Sequence, residues 1–85
     1  MYEVVVPDPV EKQILALGQT DRERVVLALE KLEQNPRPRG AAKLKARSAW
    51  RIRVGNYRII YEIKDNKLTI LILAVGHRRE VYRKK

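Results

Sequence analysis

Hydrophobic positions fall into two periods along this chain, helical in its first half and strand-like in its second. Residues 2–6 are β-branched and aromatic and predict a short strand ended by Pro7. Asp8 followed by Pro9 reads as a helix start, a carboxylate N-cap with proline at the first helical position. Val10, Ile14 and Leu17 then recur at i, i+4, i+7 spacing until Gly18 ends the helix. Thr20 and Glu23 have the spacing of a capping box that restarts it. Val25, Leu29 and Leu32, with Val26 beside them, give the second helix its apolar stripe, and Asn35-Pro36 stops it. The two helices predict an antiparallel hairpin with one shared apolar face.

Residues 37–47 are rich in proline and charge and read as a loop, with Leu44 the one obvious anchor. From Trp50 the period becomes two. Residues 50–54 alternate cleanly, Gly55-Asn56 is a two-residue turn with glycine first, as type II′ prefers, and residues 57–63 continue the alternation. Asp65-Asn66 turns again, and residues 68–75 form the third strand of a meander. The expected fold is α+β: an N-terminal strand, an antiparallel helical hairpin, then a three-stranded antiparallel meander with a short C-terminal segment, the helices on one face of an antiparallel sheet. Its 85 residues suit one domain with one modest core.

The hairpin register follows by arithmetic. With Gly55-Asn56 as the loop, Val54 faces Tyr57, Arg53 faces Arg58, Ile52 faces Ile59 and Arg51 faces Ile60. Trp50, Ile52, Val54, Tyr57, Ile59 and Tyr61 then point to the helices, and Arg51, Arg53 and Arg58 to the opposite face. Like charges directly opposite each other cost from a few tenths to about 1 kcal/mol. An anion site would want that arrangement; a solvated face would merely tolerate it. Extending the register through Asp65-Asn66 sets Ile60 opposite Leu71 and Arg58 opposite Leu73, an outward apolar stripe. Either the C-terminal segment or a bound partner would cover it.

Charge sharpens the picture. The net charge is +9, and residues 35–61 contain no acid while carrying Arg37, Arg39, Lys43, Lys45, Arg47, Arg51, Arg53 and Arg58. A polyanion is the expected partner, nucleic acid before an acidic protein or an anionic membrane. With no cysteine and one histidine, His77, neither a disulfide framework nor a metal site is expected. No apolar run approaches the roughly 20 residues of a membrane span, and the N-terminus lacks a secretory pattern, so a soluble cytoplasmic protein is expected. The tail is basic too: Gly76 permits a sharp turn, which would bring Arg78 and Tyr82 to the edge of the arginine face. There the tyrosine could stack on a base and the arginine meet a phosphate, or both could simply be solvated.

Residues 50–63 and 75–83 together closely resemble the RelE branch of the RelE/ParE toxin superfamily, and the resemblance extends over nearly the whole chain. It implies a toxin of a type II toxin–antitoxin system, a metal-independent, cofactor-free endoribonuclease that enters the ribosomal A site and cleaves mRNA by 2′-hydroxyl attack on the adjacent phosphate. Motif position carries the catalytic roles onto Arg51, Arg53, Arg58, Arg78 and Tyr82, with His77 where relatives carry a basic residue. Lys43, Lys45, Arg47, Arg79 and Arg83 would contact RNA. Arginine cannot serve as a base, because its pKa exceeds about 12. Proton removal would therefore fall to His77, Glu80, Tyr82 or the ribosome. The implied partners are the ribosome with bound mRNA and a RelB-like antitoxin, acidic and partly disordered alone, through which the complex would bind operator DNA. A ParE-like DNA gyrase inhibitor on the same fold and a non-catalytic nucleic-acid-binding module are the competing readings.

Overall fold

A computed structural model describes residues 1–45 and 48–77 of the chain. The elements are β1 (Glu3–Val5), α1 (Asp8–Leu15), α2 (Gln19–Gln34), β2 (Ala42–Lys43), β3 (Trp50–Val54), β4 (Tyr57–Lys64) and β5 (Thr69–His77), with a 3-10 turn at Asp65–Lys67 between the last two strands. They build one five-stranded sheet in the order β1-β5-β4-β3-β2, with both helices packed on one face. The sheet is mixed, which corrects the antiparallel expectation: β1 runs parallel to β5, with Val4 beside Ile70. β2 is the second addition, a two-residue edge strand inside the segment expected to be loop.

The helix starts differ from those expected. Pro7, in an extended conformation, precedes α1 and offers its carbonyl to the amides of Val10 and Glu11, so Asp8 is already the first helical residue and caps nothing. α1 ends at Leu15 with Ala16 as its cap, and Gly18 instead opens α2, its carbonyl accepting the Arg22 amide at 2.8 Å. α2 therefore begins at Gln19, which leaves Thr20 inside the first turn and forms no capping box. Glu23 meets the Gln19 side-chain amide at 3.3 Å instead.

The core lies between helices and sheet: Val10, Ile14, Val25, Leu29 and Leu32 pack against Ile52, Ile59, Tyr61, Ile70, Ile72 and Val75. Val26 lies outside this stripe and is 42% exposed. Burying such side chains contributes about 1.5–3 kcal/mol each, and this is the main force holding the sheet's inner face to the helices. Tyr61 is the largest fully buried side chain, and its hydroxyl donates to the Pro36 carbonyl at 2.7 Å. That bond fixes the chain where α2 hands over to the 36–40 loop.

Candidate nucleic-acid interface

The β3–β4 hairpin adopts the expected register, Val54 with Tyr57, Arg53 with Arg58, Ile52 with Ile59 and Arg51 with Ile60. Gly55 has φ +61° and Asn56 does not have a positive φ, the pattern of a turn whose first central residue must be left-handed. A two-residue turn leaves no freedom in pairing, and the alternation of a strand does the rest. Ile52, Ile59 and Tyr61 join the core, so Arg51, Arg53 and Arg58 project from the opposite face. Arg53 is exposed, while Arg51 and Arg58 are half-buried. Among the described residues neither Arg51 nor Arg53 forms an ion pair.

β4 and β5 pair otherwise than expected. Arg58 faces Gly76, Ile60 faces Ala74, and Leu71 faces Glu62. The turn spans residues 65–68, with Leu68 at φ +49°, and a bulge at Ile60/Tyr61 leaves Leu73 as the extra residue. Each change displaces the register, and together they dissolve the expected column of Ile60, Leu71 and Leu73. In its place, small residues flank Arg58 and Ile60 on the β5 side. Ile60 is only 2% exposed although it lies on the arginine face, giving that face an apolar floor beneath its cations.

The other predicted residues divide. His77 pairs with Tyr57 and meets its ring edge-on at 5.9 Å. Alternation places both on the helix side of the sheet, so His77 does not converge with the three arginines. Lys43 and Lys45 are exposed, Lys43 beside Trp50 at the β2 edge. Arg47, Arg78, Arg79, Tyr82 and Arg83, and with them Glu80, lie outside the described residues.

Arg37 has a different occupation. Its guanidinium bonds Asp65 at 2.9 Å and lies 5.3 Å from the centre of the Trp50 ring, while the Tyr2 hydroxyl donates to the same carboxylate at 2.6 Å. The bonds from Arg37 and Tyr2 hold the Asp65 carboxyl below its ordinary value, and the carboxylate raises both Tyr2 and Arg37. Burial pushes the Tyr61 hydroxyl up to about 12.

Sequence reasoning missed a cationic groove at the β3 edge that shares Arg51 and Arg53 with the arginine face. β2 pairs only with Trp50 and Arg51, so residues 52–54 of β3 border an open groove against α2. The groove has a volume of about 710 Å³. Leu27, Leu32, Ile52 and Val54 supply its apolar lining, and Arg24, Lys31, Arg39, Arg51 and Arg53 its charge, with no carboxylate among the lining residues. The Arg24 guanidinium rests against the hairpin turn, where a methyl group on Gly55 would meet it at 3.5 Å. The signal was present in the spacing of Arg24, Leu27, Ala28 and Lys31, which share one helix face. That spacing marks one wall only; the groove itself has no local signal, because its second wall comes from the other half of the chain.

Guanidiniums that share one sheet face over an apolar floor can hold phosphate oxygens and stabilise added negative charge. The family described as ParE toxin of type II toxin-antitoxin system, parDE, matches residues 4–82. Toxin RelG of Mycobacterium tuberculosis is 47% identical over 32 residues, a stretch covering 38% of this chain and only 37% of that toxin. Among solved structures, the RelBE2 toxin–antitoxin complex of Mycobacterium tuberculosis matches with a TM-score of 0.81 at 28% identity, covering 91% of this chain and 98% of the matched one. The archaeal RelE–RelB complex of Pyrococcus horikoshii OT3 matches at 0.82 and 29% identity, over 91% and 94%. The isolated RelE toxin of E. coli matches at 0.79 and 25% identity, over 98% and 93%. The chain belongs to the ParE toxin family of type II toxin–antitoxin systems, on the RelE branch of the RelE/ParE superfamily.

Proposed function

We propose that this toxin is a ribosome-dependent endoribonuclease that cleaves mRNA in the A site. The observation that carries the reading is the pairing of Arg53 with Arg58, with Arg51 two register positions on, all on one face and all within residues 35–61, which contain no acid. In the cleavage the 2′-oxygen bonds to the adjacent phosphorus while the bond to the 5′-oxygen breaks, leaving a cyclic phosphate and a 5′-hydroxyl. A base removes the 2′-hydroxyl proton, and an acid returns one to the departing oxygen. Arg51, Arg53 and Arg58 hold the phosphate and stabilise the charge that builds on its equatorial oxygens. Arg78 adds a further cation and Tyr82 stacks on a base. The proton acceptor is Glu80, Tyr82 or a ribosomal group, because arginine stays protonated and His77 lies on the sheet's other face.

Primer extension on ribosome-bound message tests this. Cuts phased with codons, absent from free mRNA, are expected. Inhibition of gyrase supercoiling without cuts would establish the ParE-like activity instead, and binding to nucleic acid without either effect would leave a recognition module.

The toxin's partner is an antitoxin, whose acidic amphipathic segment lies in the groove between α2 and β3. Support comes from complementarity: an apolar lining with Leu27 52% exposed, bordered by five cations, suits a segment with one apolar and one acidic face. Two of the matching solved structures are toxin–antitoxin complexes, RelBE2 and RelE–RelB. Leu27→Asp should weaken the complex at least about tenfold, as losing a buried anchor does. Added salt should slow association more than it speeds dissociation. Unchanged affinity in Leu27→Asp would place the antitoxin elsewhere.

A further inference from the structure

We propose that Gln13 is a positioning residue for the RNA site, an acceptor that clamps the open edge of β5 and so fixes the strand opposite Arg58. The argument starts from the backbone groups of β5. β5 runs over Thr69–His77, but β1 pairs only with Thr69, Ile70 and Leu71. Beyond Leu71 that edge has no strand neighbour among the described residues, although Val75 is only 2% exposed. A buried backbone N–H without a partner is costly, so something must replace the missing ladder.

Gln13 does so. Its Oε1 accepts the Val75 amide at 2.9 Å, across 62 residues of sequence. The residue stands in α1 three positions after Val10 and one before Ile14, both buried in the core, so the packing of those two delivers the carboxamide to the strand. A polar residue at a helical position adjoining the apolar stripe is thereby explained: α1 is both a packing element and a substitute strand.

The consequence falls on the next residue. Val75 faces Ile59, Gly76 faces Arg58, and His77 faces Tyr57. The clamp therefore holds β5 one step before the pair that carries Arg58. It also fixes the point from which residues 78–85 depart. The β4 ladder alone would hold this end from one side only, next to a bulge that already interrupts the pairing at Ile60/Tyr61.

The catalytic half of this inference rests on the endoribonuclease reading; the clamp itself does not, and the test separates them. Gln13→Leu keeps the volume and removes the acceptor, whereas Gln13→Glu keeps an acceptor oxygen. Amide exchange of Val75 should quicken about fivefold or more in Gln13→Leu, with Ile70 and Ile72 unchanged, and return toward wild type in Gln13→Glu. For cleavage of ribosome-bound mRNA, kcat should fall about tenfold in Gln13→Leu with KM within about twofold, and Gln13→Glu should restore it. Unchanged Val75 exchange would overturn the clamp, and equal quickening at Ile70 and Ile72 would reduce it to general destabilisation. Selective quickening with wild-type kcat would overturn the positioning role. If wild-type protein does not cut mRNA, the endoribonuclease reading falls and takes the positioning role with it, while the exchange measurement still decides the clamp.

Discussion

The two ends of β4 treat charge in opposite ways. At its far end, beside the turn to β5, Asp65 binds Arg37 and Tyr2, and Glu62 lies 3.5 Å from Lys64. At its near end, beside the turn from β3, Arg53 and Arg58 face each other while Arg24 rests against the same turn from the helix side. Eight residues of strand separate the ends, roughly 25 Å at about 3.3 Å per residue, more than two Debye lengths in physiological salt. The closed end cannot neutralise the open one. In sequence, Arg37 and Arg53 belong to one acid-free basic run; in the fold, Arg37 is tied to Asp65, whereas Arg53 is exposed and, like Arg51, forms no ion pair among the described residues. Membership of one basic run does not settle what a cation does.

The sharpest way to break this contrast is to remove one arginine from each end. Arg58→Ala should cut the rate of mRNA cleavage about 10²–10³-fold, the usual effect of losing one preorganised donor to a developing oxyanion. The fold should persist, because Arg58 projects from the face opposite the helices and lies outside the core cluster. Arg37→Ala should leave the rate near wild type. Single-turnover assays on programmed ribosomes would measure both, and comparable losses would erase the distinction between the ends.

A smaller effect is expected from the tail. If Tyr82 stacks on a base, Tyr82→Ala should lose about 1–3 kcal/mol of transition-state stabilisation while Tyr82→Phe keeps most of the activity. A Phe variant as damaged as the Ala variant would move Tyr82 from stacking to proton transfer. Wild-type rates for both would remove it from the site.

How much of this was legible in sequence depended on the length of the connection that set each contact. Gly55-Asn56 fixes β3 against β4 by counting, and so the three arginines could be placed on one face. The β4–β5 register could not be counted, because the turn uses residues 65–68 with Leu68 left-handed and the bulge adds Leu73. Neither has a marker as plain as a glycine. The parallel pairing of Val4 with Ile70 and the bond from Val75 to Gln13 join residues more than 60 positions apart, beyond any local pattern. The α2 groove was half legible, since one wall is a helix face and the other a strand edge that exists only because β2 is short.

The turn-to-core tie at Tyr61 should matter for stability and little for chemistry. Tyr61→Phe leaves the Pro36 carbonyl without its donor, at a cost of about 1–3 kcal/mol if it is left unsatisfied. The folded hydroxyl titrates near 12, above the ordinary tyrosine value of about 10. A raised pKa contributes stability that is complete below the unfolded value and lost as pH rises through the folded one. The stability gap between wild type and Tyr61→Phe should therefore hold up to about pH 10 and close towards pH 12. Denaturant titrations across that window would show a constant gap if the hydroxyl were not the cause.

The mildest test addresses the closed end itself. Asp65 is held below its ordinary pKa first by the bond from Arg37 and then by that from Tyr2. A depressed carboxylate stabilises the fold above its unfolded pKa, and that contribution is lost as pH falls through the folded value. Asp65→Asn should thus be slightly less stable than wild type at neutral pH, and the two should converge as acid protonates the native carboxylate. The effect must be small, because Asp65 and Arg37 are both exposed and salt weakens their attraction. Cleavage at neutral pH should be unaffected, since Arg53 and Arg58 lie at the other end of β4 and Arg51 stands midway, opposite Ile60. Urea midpoints for both proteins at neutral and acidic pH, each at low and high salt, measure the convergence and its screening. A variant that stays less stable by the same margin throughout would show that Asp65 acts through packing rather than charge. One that loses cleavage as Arg58→Ala does would show that the closed end carries the site after all.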